Sequence, residues 1–414
     1  MADTRGRRPV YLYTLLIYIL ACIALAMTSN YAMLLALRML QAFGASSVIA
    51  IGAGTIADIT HPSERGGYLG WYSLGWNLGP VVGPAIGGLL SQYLGWRWIF
   101  WILAILAGVH WFVLAFFLPE TLRSLVGNGS GYANPTPLQW WRRRKQSNTM
   151  DEKKKEKEEE EEEVSQSSKP LSASLREMLL APLQPLLFAK EKDVLILLVY
   201  YGIQYAACYS VTTSIPFVFS KLYGMNEAMI GLTYLANGAG CIAGSIFQGK
   251  ILNYNYRRMQ ERYPVIAQLG WIDPDLPLEH VRMRTVWIHA LIFNVLIVVY
   301  GWCLHIAAHL AIVLAIHVVL GFTSQAIFNA IQTLLVDLFP KKSASITATN
   351  NIFRCLLGAI ATTLVLPAIQ LLGVGWAFTT ISGILLLSRI PMILVLWYGP
   401  RWRRERAKRA EHKF

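Results

Sequence analysis

Residues 75–88 read GWNLGPVVGPAIGG. Gly75, Gly79, Gly83 and Gly87 recur every four residues, with Gly88 adjoining, so on a helix they form one stripe of bare backbone that another helix can approach closely. Pro80 and Pro84 lie in the same stretch. In water this would be a poor helix, since each proline removes a hydrogen bond and each glycine adds chain entropy to be lost. In lipid an unpaired backbone has no water to turn to, so a helix that bends and packs tightly is the reading left standing. The surrounding run, Tyr68 to Leu90, carries no charged residue.

Nine further apolar stretches extend outward from it: Pro9 to Thr28, Tyr31 to Ala57, Trp98 to Leu118, Val194 to Phe219, Met229 to Phe247, Val286 to Cys303, Leu310 to Val336, Ile346 to Leu372 and Trp376 to Tyr398. At roughly 20 residues per crossing, ten spans take about half of the chain. With 414 residues, 55% of them hydrophobic and 15% charged, and a mean hydropathy of +0.42, a soluble globule could not cover its apolar surface. The fold class is an all-α polytopic membrane protein.

The net charge of +13 falls in short clusters between apolar runs, as topogenic charge does, so nucleic acid is set aside as a partner. The clusters follow spans two, four, six and eight and occupy both termini: Arg65, Arg142 to Lys145, Arg257, Arg258, Arg262, Arg282, Arg284, Lys341, Lys342 and the Arg401 to Lys413 tail. Alternate gaps hold little beyond Arg97 and Lys221. Both termini are therefore expected in the cytoplasm, and Asn128-Gly129-Ser130 is on the wrong side for glycosylation. Five cysteines within apolar runs, with no CxxC, indicate neither a disulfide framework nor a zinc site. The chain divides into a cytoplasmic loop remnant (1–8), four spans (9–118), a central cytoplasmic loop (119–193), six spans (194–398) and a basic tail (399–414). Asp151 to Glu163, all charged, reads as a solvated tether.

The halves repeat. Ala2 to Arg8, before span one, matches Leu252 to Arg258, before span seven, at an offset of 250. Asp58 with Pro62 after span two corresponds to Asp337 with Pro340 after span eight. Two spans precede span seven in the second half and none precedes span one, so the first half is expected to lack its first two helices.

Several segments carry a resemblance. Residues 2–9, ADTRGRRP, resemble the end of the loop signature of the major facilitator superfamily; Leu37 to Gly44 resembles its RxxQG signature; residues 75–88 resemble its antiporter signature. Pro119-Glu120-Thr121-Leu122-Arg123 is similar to the start of the central loop in fungal drug:proton antiporters, in particular their quinidine-resistance-like branch. The resemblance covers nearly the whole chain and implies two pseudo-repeat halves, of whose twelve helices ten are present. It implies a monomeric plasma-membrane exporter of drugs, toxins or metabolites that works by alternating access and is driven by protons rather than by a cofactor. It further implies that Asp3, Arg5, Gly6, Arg7 and Arg8 latch the cytoplasmic face, and that Arg38, Gln41 and Gly44 belong to the proton-coupling motif. An organic-anion exporter of the same fold, which Arg38 and Arg389 in one cavity would favour, and a non-transporting paralogue are the rivals. A polytopic membrane enzyme would need clustered His, Asp or Glu, which the spans do not offer.

The residues themselves add physical constraints. Arg38 in span two and Arg389 in span ten are costly in hydrocarbon and should meet a partner or a wet cavity. No Asp or Glu lies deep in the ten spans, while His110, His289 and His317 lie in spans and read as hydrogen-bonded packing residues. On span five, Tyr201, Gln204, Tyr205 and Tyr209 recur at helical spacing and can line a substrate cavity with Trp76, Asn77, Tyr234, Asn237, Gln325, Asn329 and Arg389. On span six, Ala236, Gly240 and Gly244 form a small-residue stripe that matches the glycines of span three. No Walker sequence, HExxH or GxSxG occurs. The charge asymmetry predicts that a cysteine placed at Tyr223 reacts with an impermeant thiol reagent from outside the cell while one at Ser167 does not; the reverse pattern would invert the topology.

Overall fold

The computed structural model describes residues 6–59, 65–126, 134–141, 188–262, 278–339 and 343–411, apart from some side chains inside helices. Asp3, Arg5 and the 151–163 tether lie outside them. Ten long helices are present among the described residues: α1 (Arg7–Ala26), α2 (Tyr31–Ile59), α3 (Arg65–Leu94), α4 (Arg97–Phe117), α5 (Lys192–Tyr223), α6 (Glu227–Arg262), α7 (Val286–His305), α8 (Leu310–Leu338), α9 (Ser343–Leu372) and α10 (Val374–Glu411). Each coincides with one of the ten apolar runs to within two residues or contains it. Eight of them are long and apolar enough to cross a membrane among the described residues; α2 and α3 include side chains outside that set. Helix is the form such runs must take, because it pairs every backbone group within the segment.

Two helices overrun their apolar stretches. α6 continues past Phe247 to Arg262, and α10 passes Tyr398 and carries the basic tail in helical form to Glu411. The first of these carries the second copy of the repeated basic segment. Leu252–Arg258 lie in the last turns of α6, whereas Arg7 opens α1. The buried basic residue ahead of α7 is Arg282, in the short helix Leu278–Met283. Similarity between short basic segments does not fix where a helix stops.

The chain forms two compact units, one of residues 1–76 and 93–179, the other of 77–92 and 180–414. In the first, α1 packs against α2 and α4 around Leu25, Ala26 and Phe100. In the second, the buried core runs from Val194 on α5 through Phe293 and Tyr300 on α7 and Ile331 on α8 to Phe378 on α10.

Bare backbone sets the helix spacing in the second unit. A Cβ at Gly240 would run into the carbonyl of Val318, one at Gly244 into that of Phe322, and one at Gly321 into that of Asn237. The small stripe of α6 thus faces α8, not α3 as its pattern suggested. α3 meets another face of α6: a Cβ at Gly88 would lie 2.5 Å from Glu227 O, one at Gly231 2.5 Å from Pro84 O, and Gly238 lies under Val81. At Gly79 and Gly83 a Cβ would have no neighbour within 4 Å among the described residues. A stripe of small residues shows that something comes close without showing which neighbour does.

Gly240→Ala and Gly244→Ala should therefore each destabilise the detergent-purified chain by about 1–3 kcal/mol. Gly79→Ala and Gly83→Ala should be neutral or slightly stabilising, since alanine gains up to about 1 kcal/mol of helix preference in an open position. Denaturant titration compares the four, and a Gly240→Ala variant as stable as the parent would contradict the close approach.

Candidate functional site

An apolar bundle that carries a polar stripe has a reason for it, since burying unpaired polar groups is costly. In the second unit that stripe is built by α5, α8 and α9. Tyr201, Tyr205 and Tyr209 ascend α5; the last two stack with ring centroids 4.2 Å apart. Phe328 of α8 packs against Tyr201 at 5.0 Å and Tyr205 at 6.0 Å. Around Phe328, at helical spacing, stand Gln325, Asn329 and Gln332. Gln325 donates to Asn329 (3.2 Å), whose amide donates to Ser245 of α6 (3.3 Å). Gln332 accepts from Asn350 of α9 (2.7 Å) and donates to Thr347 (3.0 Å). Arg354, one turn beyond Asn350, has its guanidinium 5.2 Å from the Tyr205 ring centre and donates through Nε to Asn351 (2.7 Å). Two glycines allow this juxtaposition of α5 and α9: a Cβ at Gly202 would lie 2.5 Å from Leu357 Cδ1, and one at Gly358 2.9 Å from Tyr205 Cε1.

Of the cavity residues expected from sequence, Tyr201, Tyr205 and Tyr209 share one face of α5, through the Phe328 contact and the Tyr205–Tyr209 stack, while Gln325 and Asn329 are linked to each other on α8. Gln204 is buried on α5. Tyr234 donates to the Thr212 carbonyl of α5 (2.7 Å), and Asn237 donates to the His317 carbonyl of α8 (3.3 Å), so both tie helices together. Arg389 lies elsewhere: its Nη2 donates to the Ala290 carbonyl of α7. Gly75 and the side chains of Trp76 and Asn77 are outside the described set. His317 is fully buried beside Tyr300 and Phe219, and neither ring nitrogen has a hydrogen-bond partner among the described residues, which overturns the expected hydrogen-bonding role. Arg354, Asn350 and Gln332 were missed. The signal was present as a basic residue inside an apolar run, preceded by two asparagines.

In the first unit, Arg38 Nη1 donates to Gln41 Oε1 (2.9 Å), and Gln41 Nε2 donates to Cys22 Sγ (3.1 Å). The Arg38 guanidinium lies 5.3 Å from the Phe100 ring centre. Gly44 admits the α1 backbone, since a Cβ there would lie 2.8 Å from Tyr18 N and 2.9 Å from Thr14 O. RxxQxxG thus works as one device: glycine sets the distance, and glutamine links the arginine to the neighbouring helix.

The described part of the expected cytoplasmic latch, Gly6, Arg7 and Arg8, is organised by a residue that sequence reading named without giving it a role. Buried Glu120 accepts from the Arg7 amide (2.7 Å), from Thr121 and Leu122 amides (3.1 and 3.2 Å) and from Asn134 Nδ2 (2.9 Å). It thereby places a carboxylate at the positive end of α1. Gly6, at φ +107°, makes room, because a Cβ there would collide with Glu120 Oε2. Arg8 performs the complementary task at the negative end of α4, donating to Ala115 O (2.7 Å), Asn134 O (3.2 Å) and Pro135 O (3.1 Å).

The second unit has a comparable charged end. Arg282 pairs with Asp337 (2.8 Å) and donates to Leu252 O (3.2 Å); Arg403 pairs with Glu279 (3.4 Å); Arg406 pairs with Asp193, and Arg409 with Glu191 (3.3 Å). Burial pushes the Glu279 carboxyl up, against the opposing pull of Arg403.

Burial alone would raise the Glu120 carboxyl, but the hydrogen bonds from Asn134 and from the Arg7, Leu122 and Thr121 amides outweigh it and hold the group below the usual glutamate range. A depressed native pKa contributes stability that is present above the ordinary value and is lost as pH falls through the native one. The melting temperature of the purified chain should thus drop as pH falls below about 4. Glu120→Gln should start lower at pH 7 and fall less; parallel profiles would show that the carboxylate has no such role.

Residues 1–362 match the family model "Major Facilitator Superfamily". The chain is 36% identical to Citrate exporter 1 of Aspergillus niger over 420 residues, covering all of this chain and 77% of that one. It is 33% identical to Quinidine resistance protein 1 of Saccharomyces cerevisiae, covering 96% and 72% of the two chains. In fold it is similar to the crystal structure of the peptide transporter POT, with a TM-score of 0.59 at 16% identity over 97% of this chain and 81% of that one. Its long apolar helices and these relatives make it a multi-pass membrane protein and a transporter rather than an enzyme. The chain belongs to the Major Facilitator Superfamily.

Proposed function

We propose that the chain exports small organic molecules across a membrane in exchange for protons, by exposing the α5–α8–α9 face alternately to the two sides. The observation that carries this reading is that face itself. Three tyrosines, a set of linked amides and an arginine are gathered on one side of otherwise apolar helices. Such a surface costs stability in lipid unless water or a solute meets it. Relatives named as a citrate exporter and a quinidine resistance protein support export as the direction.

Proton coupling is assigned to the Arg38 group. It acts by holding positive charge beside Gln41 and Cys22 and by biasing a proton carrier, not by carrying the proton itself. The charge bias of the loops supports cytoplasmic termini, and the resemblance to fungal antiporters supports a plasma-membrane location and a monomer that needs no cofactor beyond the proton gradient.

Export of citrate and of quinidine from intact cells, with and without a protonophore, tests the reading. Arg38→Ala should lower gradient-dependent export by about tenfold or more, and Arg38→Lys should keep a measurable fraction, because buried positive charge is the property at issue. Full gradient-dependent export by the alanine variant would remove Arg38 from coupling. Export by the parent chain that ignores the protonophore would remove proton exchange.

A further inference from the structure

Arg354 lies well inside α9, between a stacked pair of tyrosines and a row of amides. Its surroundings hold it in one orientation. Asn351 takes Nε (2.7 Å), and the Tyr205 ring centre lies 5.2 Å from its carbon. Asn350 is itself held by Gln332 of α8 (2.7 Å), so two donor-bearing residues stand one turn apart on α9. A planar guanidinium oriented in this way matches the two oxygens of a carboxylate and matches a cation poorly. The Tyr205–Tyr209 stack beside it offers an apolar plane for an organic body, and the Asn350 and Gln325 amides offer further hydrogen bonds. Inorganic anions would leave that plane unused.

We propose that Arg354, with Tyr201, Tyr205 and Asn350, binds a carboxylate of the transported molecule, which makes organic acids the substrate class. The inference rests on the transport reading for its function, but the binding step can be tested separately.

The full chain is purified in detergent, and its thermal unfolding is followed while citrate, succinate or quinidine is titrated. Citrate or succinate should stabilise the parent chain. Arg354→Gln, which keeps an amide donor, should raise the half-saturating carboxylate concentration by about tenfold or more, and Arg354→Lys by less, because the charge remains and the fork is lost. If the glutamine variant folds poorly, the lysine variant carries the test: it must bind carboxylate measurably more weakly than the parent while its melting temperature without ligand stays close. Carboxylate affinity within twofold of the parent in either well-folded variant would overturn the assignment, as would a parent chain stabilised by quinidine and by neither acid, or by none of the three. Uptake of labelled citrate by proteoliposomes under a proton gradient separates the two readings. Arg354-dependent binding without uptake would overturn the transport reading and leave the site in place.

Discussion

The approach of α6 and α8 to backbone contact at Gly240, Gly244 and Gly321 is the constraint on which the second unit depends. Lipid offers no hydrophobic force to drive apolar helices together, so association rests on close packing and on a few interhelical hydrogen bonds. The glycines supply the first. With no side chains between them, the two helices lie close enough for Asn237 to reach the His317 carbonyl and for Asn329 to reach Ser245. Once α8 is fixed in this way, Phe328 meets the tyrosines of α5 and Gln332 meets Thr347 and Asn350 of α9. Gly202 and Gly358 do the same for α5 and α9, which brings the tyrosines onto Arg354. The polar face is a consequence of helix spacing as much as of the residues that form it.

A second level of organisation lies at the helix ends. Glu120 and Arg8 each place a charge against the helix terminus of opposite sign, and Arg282, Arg403, Arg406 and Arg409 pair with Asp337, Glu279, Asp193 and Glu191. The positive charges whose distribution reports orientation are thus also structural. A buried partner such as Glu279 or Asp193 leaves an expensive uncompensated charge if its arginine is lost, so these ends should tolerate exchange of both partners better than loss of one.

The spans and the superfamily were legible because length, hydropathy and signature motifs are local properties. Two-body relations were harder to read. The stripe Ala236–Gly240–Gly244 shows that a close neighbour exists, but Gly231 and Gly238 on the same helix also face close neighbours, and composition does not say which helix each meets. Arg389 and Arg354 look alike in sequence, each a lone basic residue in an apolar run; one ends on a main-chain carbonyl of α7, the other among tyrosines and amides. The difference depends on rotation about the helix axis, which no local pattern fixes. Glu120 stood inside a recognised motif, but its partners are the amide of Arg7 and the side chain of Asn134, the first of them brought near by the return of the chain through α4.

Whether the α5–α8–α9 face is a water-accessible path for solute is the claim from which the rest follows. The most direct measurement is the reaction rate of single cysteines, introduced into a cysteine-free chain in membranes, with a charged, water-soluble thiol reagent. Rapid labelling is expected at Tyr209, Gln325 and Asn329, slowed by bound substrate, and slow labelling at exposed apolar positions of α7 such as Ile288 and Val295. Equal rates at both sets, or faster reaction at Ile288 and Val295, would show that the polar face is internal packing and not a transport path.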